Sequence, residues 1–247
     1  ENIDAEIKGL EIESIWSPIH NLRFNTAIGW LDTKIVNGSS IDTFNRTQGD
    51  PNLVLVKSSA ASNCVTTLAG AQTALAISNA TNNPFALLGV CTASSTAGAG
   101  TTIGSKGAVS VGTNAFGAPV SDGVAVNLTG KELPNAPHWT VSLGAQYTWE
   151  FDNGWDAVLR GDYYTQTETF ARIYNSNPDR IDSWKNVNLT LTVSNKDLGL
   201  TVDAYVKNAT DEEAIADFYL TDDSSGLFRN AFFNEPRTYG VAVTKSW

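Results

Sequence analysis

Residues 138–151 read HWTVSLGAQYTWEF. The odd positions are Trp139, Val141, Leu143, Ala145, Tyr147, Trp149 and Phe151, and the even ones are His138, Thr140, Ser142, Gly144, Gln146, Thr148 and Glu150. Successive side chains of a β-strand point to opposite faces, so this period of two predicts a strand with one oily and one polar face. The pattern recurs in both directions. Residues 184–194 set Val187, Leu189, Leu191 and Val193 against Asn186, Asn188, Thr190, Thr192 and Ser194, and residues 199–207 set Leu200, Val202, Ala204 and Val206 against Thr201, Asp203, Tyr205 and Lys207. Residues 155–163, 237–247, 22–30 and 10–16 follow the same rule, the last two less cleanly, which gives seven expected strands.

The joints between these strands alternate strictly. Those at residues 17–21, 152–154 and 195–198 are short and carry turn residues such as Pro18 and Asn153-Gly154. Those at about 36–137, 170–182 and 210–236 are long. An antiparallel meander puts alternate joints at opposite ends, so one end of the sheet has tight turns and the other large loops. Outer-membrane barrels have that asymmetry, with short periplasmic turns and long extracellular loops. A soluble β-sandwich also alternates faces. Against it stand Asp156, Arg160, Asp162 and Asp203 in mid-strand on the polar side, as a hydrated lumen would have them.

The tryptophans point the same way. Tracing direction from the turns puts Trp16, Trp149, Trp155 and Trp247 at the short-turn end and Trp30, Trp139 and Trp184 at the long-loop end, two expected interfacial belts. Trp139 and Trp149 share a face at a separation of roughly 33 Å along the strand. At a tilt of about 45° this projects to roughly 24 Å, close to the ~25 Å apolar band of such barrels.

Composition narrows the function. Only 17% of residues are charged, and 16 Lys and Arg face 26 Asp and Glu for a net charge of -10. That balance excludes a nucleic-acid partner, which calls for a basic face. No run approaches the roughly 18 apolar residues of a membrane-spanning helix, whereas spanning strands leave almost no hydropathy signal. The sequence has no Met and no basic-then-apolar leader, which reads as a processed or partial chain. An open sheet edge in hydrocarbon would cost on the order of tens of kcal/mol, and single-chain bacterial barrels have even strand numbers. Seven strands are therefore expected to be the carboxyl-terminal third or so of a larger closed barrel. Assembly from several copies is the alternative, made less attractive by the long insert.

Four segments resemble the last strands of TonB-dependent outer-membrane receptors: AEIKGLEIES near the start, HWTVSLGAQYTWEF, VKNATDEEA, and the ending EPRTYGVAVTKSW. The ending, similar to the family's P-R-x-Y/F-G run to a terminal aromatic, is the most specific. Ala209 stands where Leu is usual after Asn208, and Trp247 where Phe is commoner. The resemblance covers the strand regions but not the insert at about 37–137. It implies an all-β, transmembrane antiparallel barrel of 22 strands, of which this chain supplies about the last seven. A plug domain would lie upstream of Glu1 and couple to the TonB complex to import a scarce small-molecule ligand: a metal chelate or siderophore, a vitamin or an oligosaccharide. It also implies residence in the Gram-negative outer membrane, with loops extracellular and the carboxyl terminus periplasmic, among lipid and lipopolysaccharide. Tyr239, Val241, Val243 and Trp247 match the signal read by the barrel assembly machinery. A passive porin, an outer-membrane enzyme and an adhesin displaying the insert are the competing readings.

Individual residues add less. His20 and His138, the two histidines, are expected at opposite ends of the sheet, so no Ser/His/Asp constellation can be assembled and no enzyme or cofactor is expected. Asp222-Asp223, Asp211-Glu212-Glu213 and Asp179 with Asp182 lack EF-hand spacing. They read as solvated surface, with weak Ca²⁺ binding or ionic bridging to lipopolysaccharide as the sharper alternative. Two cysteines, Cys64 and Cys91, fit one disulfide in an oxidising compartment better than a metal cluster. The bond would close the middle of an insert whose Ala, Ser, Thr, Gly and Asn content predicts a flexible, weakly packed loop. The last loop is dense in aromatic residues, and from it Phe228, Arg229 and Phe232 are the candidate ligand contacts, by stacking and cation–π interaction. Packing against neighbouring loops or the plug would explain them equally well.

Overall fold

The structure, a computed structural model, describes residues 3–58 and 62–246. Trp247, assigned to a belt and to the assembly signal, lies outside the described residues. The chain divides into two compact units.

One unit comprises residues 5–35, 130–218 and 231–247. Its seven-stranded antiparallel sheet runs in chain order: β1 (Asp4–Ile19), β2 (Leu22–Asn37), β3 (Trp139–Glu150), β4 (Trp155–Gln166), β5 (Trp184–Asn195), β6 (Leu200–Lys207) and β7 (Thr238–Lys245). The register keeps like with like across strands. Trp139 faces Trp30, Val141 faces Ile28, Leu143 faces Tyr163, Leu159 faces Leu191 and Ala204 faces Val241, all on one side. Leu143, Leu189 and Leu191 remain 42%, 44% and 40% exposed, so no second layer of described residues covers that side. A soluble sandwich would bury these leucines.

Three expectations about this sheet change. The first two strands are longer than the oily alternation suggested, because backbone pairing continues past the apolar stretch at both ends. Pro18 falls inside β1, and the turn is His20-Asn21. An edge strand tolerates a residue with no N–H to donate, and β1 is the sheet's edge. Trp184 does not join the belt: it pairs with Gln166 on the polar side, its ring 5.1 Å from that of Tyr164.

The long joints fold as well. In the joint between β4 and β5, Thr169–Phe170 pairs with Arg180–Ile181, and Arg172 grips Asp179 through Nε to Oδ1 at 2.8 Å and Nη2 to Oδ2 at 2.9 Å. The Ser176 hydroxyl also donates to Asp179, which is 1% exposed. Asp179 is thus a buried anchor and not the solvated surface carboxylate that its loop position suggested. In the last joint, Ile215–Leu220 and Arg229–Phe233 form a hairpin.

The second unit comprises residues 1–4, 36–129 and 219–230. The insert is folded, contrary to the weakly packed loop its composition predicts. Strands Leu53–Val56, Cys64–Thr67, Pro119–Ser121, Ala108–Thr113 and Thr102–Ile103 form one sheet over a small core of Leu53, Val65, Ile103, Ala108 and Val124. Helix α1 (Leu68–Ala80) starts where the Thr67 hydroxyl accepts the Gly70 N–H, an N-cap. Small polar side chains do the work that large apolar ones do elsewhere. The hydroxyl of Thr66 donates to the Pro119 carbonyl, and Asn114 donates to the Val90 carbonyl while accepting from the amides of Phe116 and Ala118. At the bulge in Ala108–Thr113, Gly112 has φ +144°, and a Cβ there would lie 2.2 Å from the Ser95 carbonyl oxygen. Cys64 and Cys91 are joined by the expected disulfide.

Candidate functional site

The polar side of the sheet is the first candidate surface. Strand register brings Gln146, Arg160, Thr190 and Tyr205 into one row across four strands. Arg160 holds Asp162 through Nε at 2.8 Å and Nη2, and also donates to Asn25 at 3.3 Å. Thr192 donates to Asp203 at 2.6 Å. Towards the long-loop end, Tyr164 donates to Gln166 at 3.0 Å beside Trp184. Charges and amides that cross-link in this way belong to a hydrated surface, since in hydrocarbon each lone charge would cost several kcal/mol. The four charges singled out by alternation all lie on this side, Arg160, Asp162 and Asp203 in mid-strand but Asp156 at the start of β4 beside the short turn.

At the long-loop end, just beyond the Trp30–Trp139 pair, His138 bridges two partners. Its Nδ1 is 3.0 Å from the Leu31 carbonyl and its Nε2 is 3.3 Å from Glu132 Oε1. Sequence reading missed this contact, because Glu132 lies in an aperiodic segment. His20 lies at the other end, 3.6 Å from Glu150, so the two histidines are separated as expected.

In the second unit, the tip of the last hairpin is tied to the insert. Asp223 receives Arg46 Nη2 at 2.8 Å, the Asn63 amide at 2.9 Å and Asn63 Nδ2 at 3.2 Å. Arg46 also donates to the Asp122 carbonyl at 2.8 Å. Asp223, read from sequence as a solvated surface acid, is therefore a structural counter-ion. Among the described residues no three His, Cys, Asp or Glu side chains gather as a metal site.

Of the candidate ligand contacts, Arg229 and Phe232 share one hairpin arm, which Phe228 just precedes, but the three do not share one face. Arg229 and Phe232 are three apart on a strand and project oppositely. The Arg229 guanidinium lies 5.1 Å from the Phe44 ring centroid. Phe228 and Phe232 are 49% and 56% exposed. Of the expected assembly residues, Tyr239, Val241 and Val243 stand in a row on the oily side of β7, 81%, 70% and 66% exposed.

A family model described as "TonB dependent receptor-like, beta-barrel" matches residues 1–209. No curated protein matches the sequence significantly. Among solved structures, the chain is similar to the ferric yersiniabactin uptake receptor FyuA of Yersinia pestis, at 11% identity and a TM-score of 0.55, over 98% of this chain and 23% of that one. It is similar also to BauA, the ferric preacinetobactin receptor of Acinetobacter baumannii, at 13% identity and TM-score 0.52, over 98% and 22%. A third is the siderophore receptor PiuA of the same organism, at 10% identity and TM-score 0.51, again over 98% and 22%. The chain thus spans less than a quarter of the length of these structures, and at such identities the likeness concerns the fold. The family match covers most of the chain, and its two-faced meander agrees with it: the chain belongs to the TonB-dependent receptor-like β-barrel family.

Proposed function

We propose that this chain is the carboxyl-terminal part of an outer-membrane active-transport receptor, which imports a scarce ligand with energy supplied through TonB. The observation that carries the reading is the two-sided sheet, with an uncovered row of leucines on one side and the Arg160–Asp162–Asn25 network on the other. Such a wall separates acyl chains from a hydrated passage. The family and the three siderophore or ferric-chelate receptors favour a metal chelate, with a vitamin or an oligosaccharide as the wider class. In this reading the protein transports and does not catalyse. The long loops face the cell exterior, the carboxyl terminus faces the periplasm, and a plug domain from elsewhere in the protein fills the lumen. Lipid and lipopolysaccharide surround the oily side, and Tyr239, Val241 and Val243 present the assembly signal. Phe228, Arg229 and Phe232 are the proposed first contacts for the ligand.

The test is uptake by whole cells expressing the full-length receptor, with and without functional TonB, using a panel of ⁵⁵Fe-loaded siderophores and radiolabelled cobalamin. Saturable accumulation of one probe that vanishes without TonB is the expected result. Accumulation independent of TonB, together with ion conductance through a lumen open at all times, would make the protein a passive porin.

A further inference from the structure

The segment Gly130–His138, which leads from the insert into β3, is laced to the outer end of β2. Ile35 N–H donates to the Lys131 carbonyl at 2.8 Å, Gly130 N–H to the Ile35 carbonyl at 2.8 Å, and Leu133 N–H to the Thr33 hydroxyl at 3.0 Å. Asn175 adds two bonds to Glu132, accepting its N–H and donating to its carbonyl. None of these contains a group that titrates near neutrality. The last rung is different. Leu31 N–H donates to the His138 carbonyl at 2.9 Å, and the Leu31 carbonyl faces the His138 ring rather than a backbone amide.

Both ring nitrogens of His138 face acceptors: a carbonyl oxygen at Nδ1 and a carboxylate oxygen at Nε2. Neutral imidazole has one N–H and one lone pair. Whichever tautomer it adopts, one nitrogen then points a lone pair at an oxygen. Only the imidazolium donates to both. We propose that His138 is a proton-operated clasp: in the protonated ring both N–H groups tie Leu31 of β2 to Glu132 of the following segment, and in the neutral ring one of the two ties is lost.

The charged groups acting on the ring are Glu132 and Asp32, both acidic. Lys131, the nearest cation in the segment, spends its ammonium on the Tyr174 carbonyl at 2.8 Å. Burial lowers the imidazole pKa, but the hydrogen bonds to Leu31 and Glu132 and the charges of Glu132 and Asp32 outweigh it and hold the group above its ordinary 6.5. A pKa raised by folding stabilises the folded form fully below the unfolded value. That contribution fades as pH rises through the folded value. The clasp is therefore closed below the ordinary imidazole value and loosens as pH rises through the raised one.

Imidazole NMR of the full-length receptor in detergent micelles, with the His138 signal assigned as the one absent from H138Q, can follow the ring through pH 5 to 9. The expected result is a midpoint above that of a free histidine, brought down by E132Q. Hydrogen exchange over residues 130–138, corrected for intrinsic pH dependence, should show protection falling through the same midpoint. In H138Q, whose amide has no such titration, the pH step should vanish. A midpoint unmoved by E132Q, or protection over 130–138 that is flat with pH in the unsubstituted receptor, would overturn the proposal.

Discussion

At the scale of single residues, the clearest consequences come from groups whose partners are fixed by backbone. Asp50 is 3% exposed and takes the amides of Asn52, Ser105 and Lys106, at 2.9 Å, 2.5 Å and 2.8 Å. Burial raises its pKa, but these bonds together overcome it and hold the carboxyl below the usual range. A lowered pKa stabilises above the unfolded value, and that stability is lost as pH falls through the folded value. Exchange protection of the Ser105 and Lys106 amides should therefore collapse on acidification below the ordinary carboxylate range. In D50N those amides should be poorly protected at neutral pH and show no such step. Gly240 makes a steric prediction. Tyr205 lies across the ladder from it, and a Cβ at 240 would sit 2.6 Å from the tyrosine hydroxyl and 2.7 Å from Cζ. Gly240→Val should destabilise the β6–β7 edge by about 1–3 kcal/mol through overpacking. Combining it with Tyr205→Ala should recover much of that loss in a chemical-denaturation series.

At the scale of elements, the seven strands could be read from sequence because period two survives any single substitution, and because a register slip would expose a whole polar row to lipid. The parity of Trp184 was readable by the same rule: it is even-numbered, like Asn186 and Asn188, and the polar side is where it stands. Its position near a strand end had suggested a belt, and position proved weaker than parity. The fold of the insert was hidden for a different reason. Its strands are two to six residues long, the longest, Ala108–Thr113, is built from Ala, Val, Ser, Gly and Thr, and the apolar Leu53–Val56 spans four residues, so no apolar period runs long enough to detect. Its order resides in pairings between residues distant in sequence, such as Thr66 with Pro119 and Asp223 with Arg46. The disulfide closes a segment with a sequence separation of 27, a restraint worth roughly 3–4 kcal/mol in the chain-entropy view, whose mechanism is debated. Asn63, which grips Asp223, adjoins Cys64. The C64S/C91S receptor should therefore lose exchange protection across the insert and also at residues 222–226, while the seven-stranded sheet keeps its melting temperature. D223N should release the hairpin tip alone, at a cost of about 3 kcal/mol for leaving Arg46 without its counter-ion. If the tip stays protected in both variants, Asp223 is not what holds it.

For the molecule as a whole, everything turns on which side of the sheet meets hydrocarbon. No described helix is long and apolar enough to cross a membrane, a fact silent about strands. The positive argument is the partition of side chains. The register sends Trp139, Val141, Leu143, Ala145, Tyr147 and Trp149 to one side and Gln146, Arg160, Asp162 and Asp203 to the other, with no charge in the middle of the oily rows. Reversing the sheet would bring the Arg160–Asp162 pair into contact with acyl chains, where even a bonded pair costs several kcal/mol to desolvate. Tryptophan gives a direct readout, because both sides carry it within reach of the same end: Trp139, 48% exposed on the oily side and paired with Trp30, and Trp184 beside Tyr164 on the polar side. Variants of the full-length receptor retaining only one of these tryptophans, reconstituted in vesicles with acyl-brominated phospholipid, should separate them. Bromine quenches on contact, so Trp139 emission should fall several-fold while Trp184 emission holds. Iodide added to the water should reverse the order. Equal quenching of the two by brominated chains would mean that the polar side also faces lipid, and no wall between bilayer and passage could then be built from this sheet.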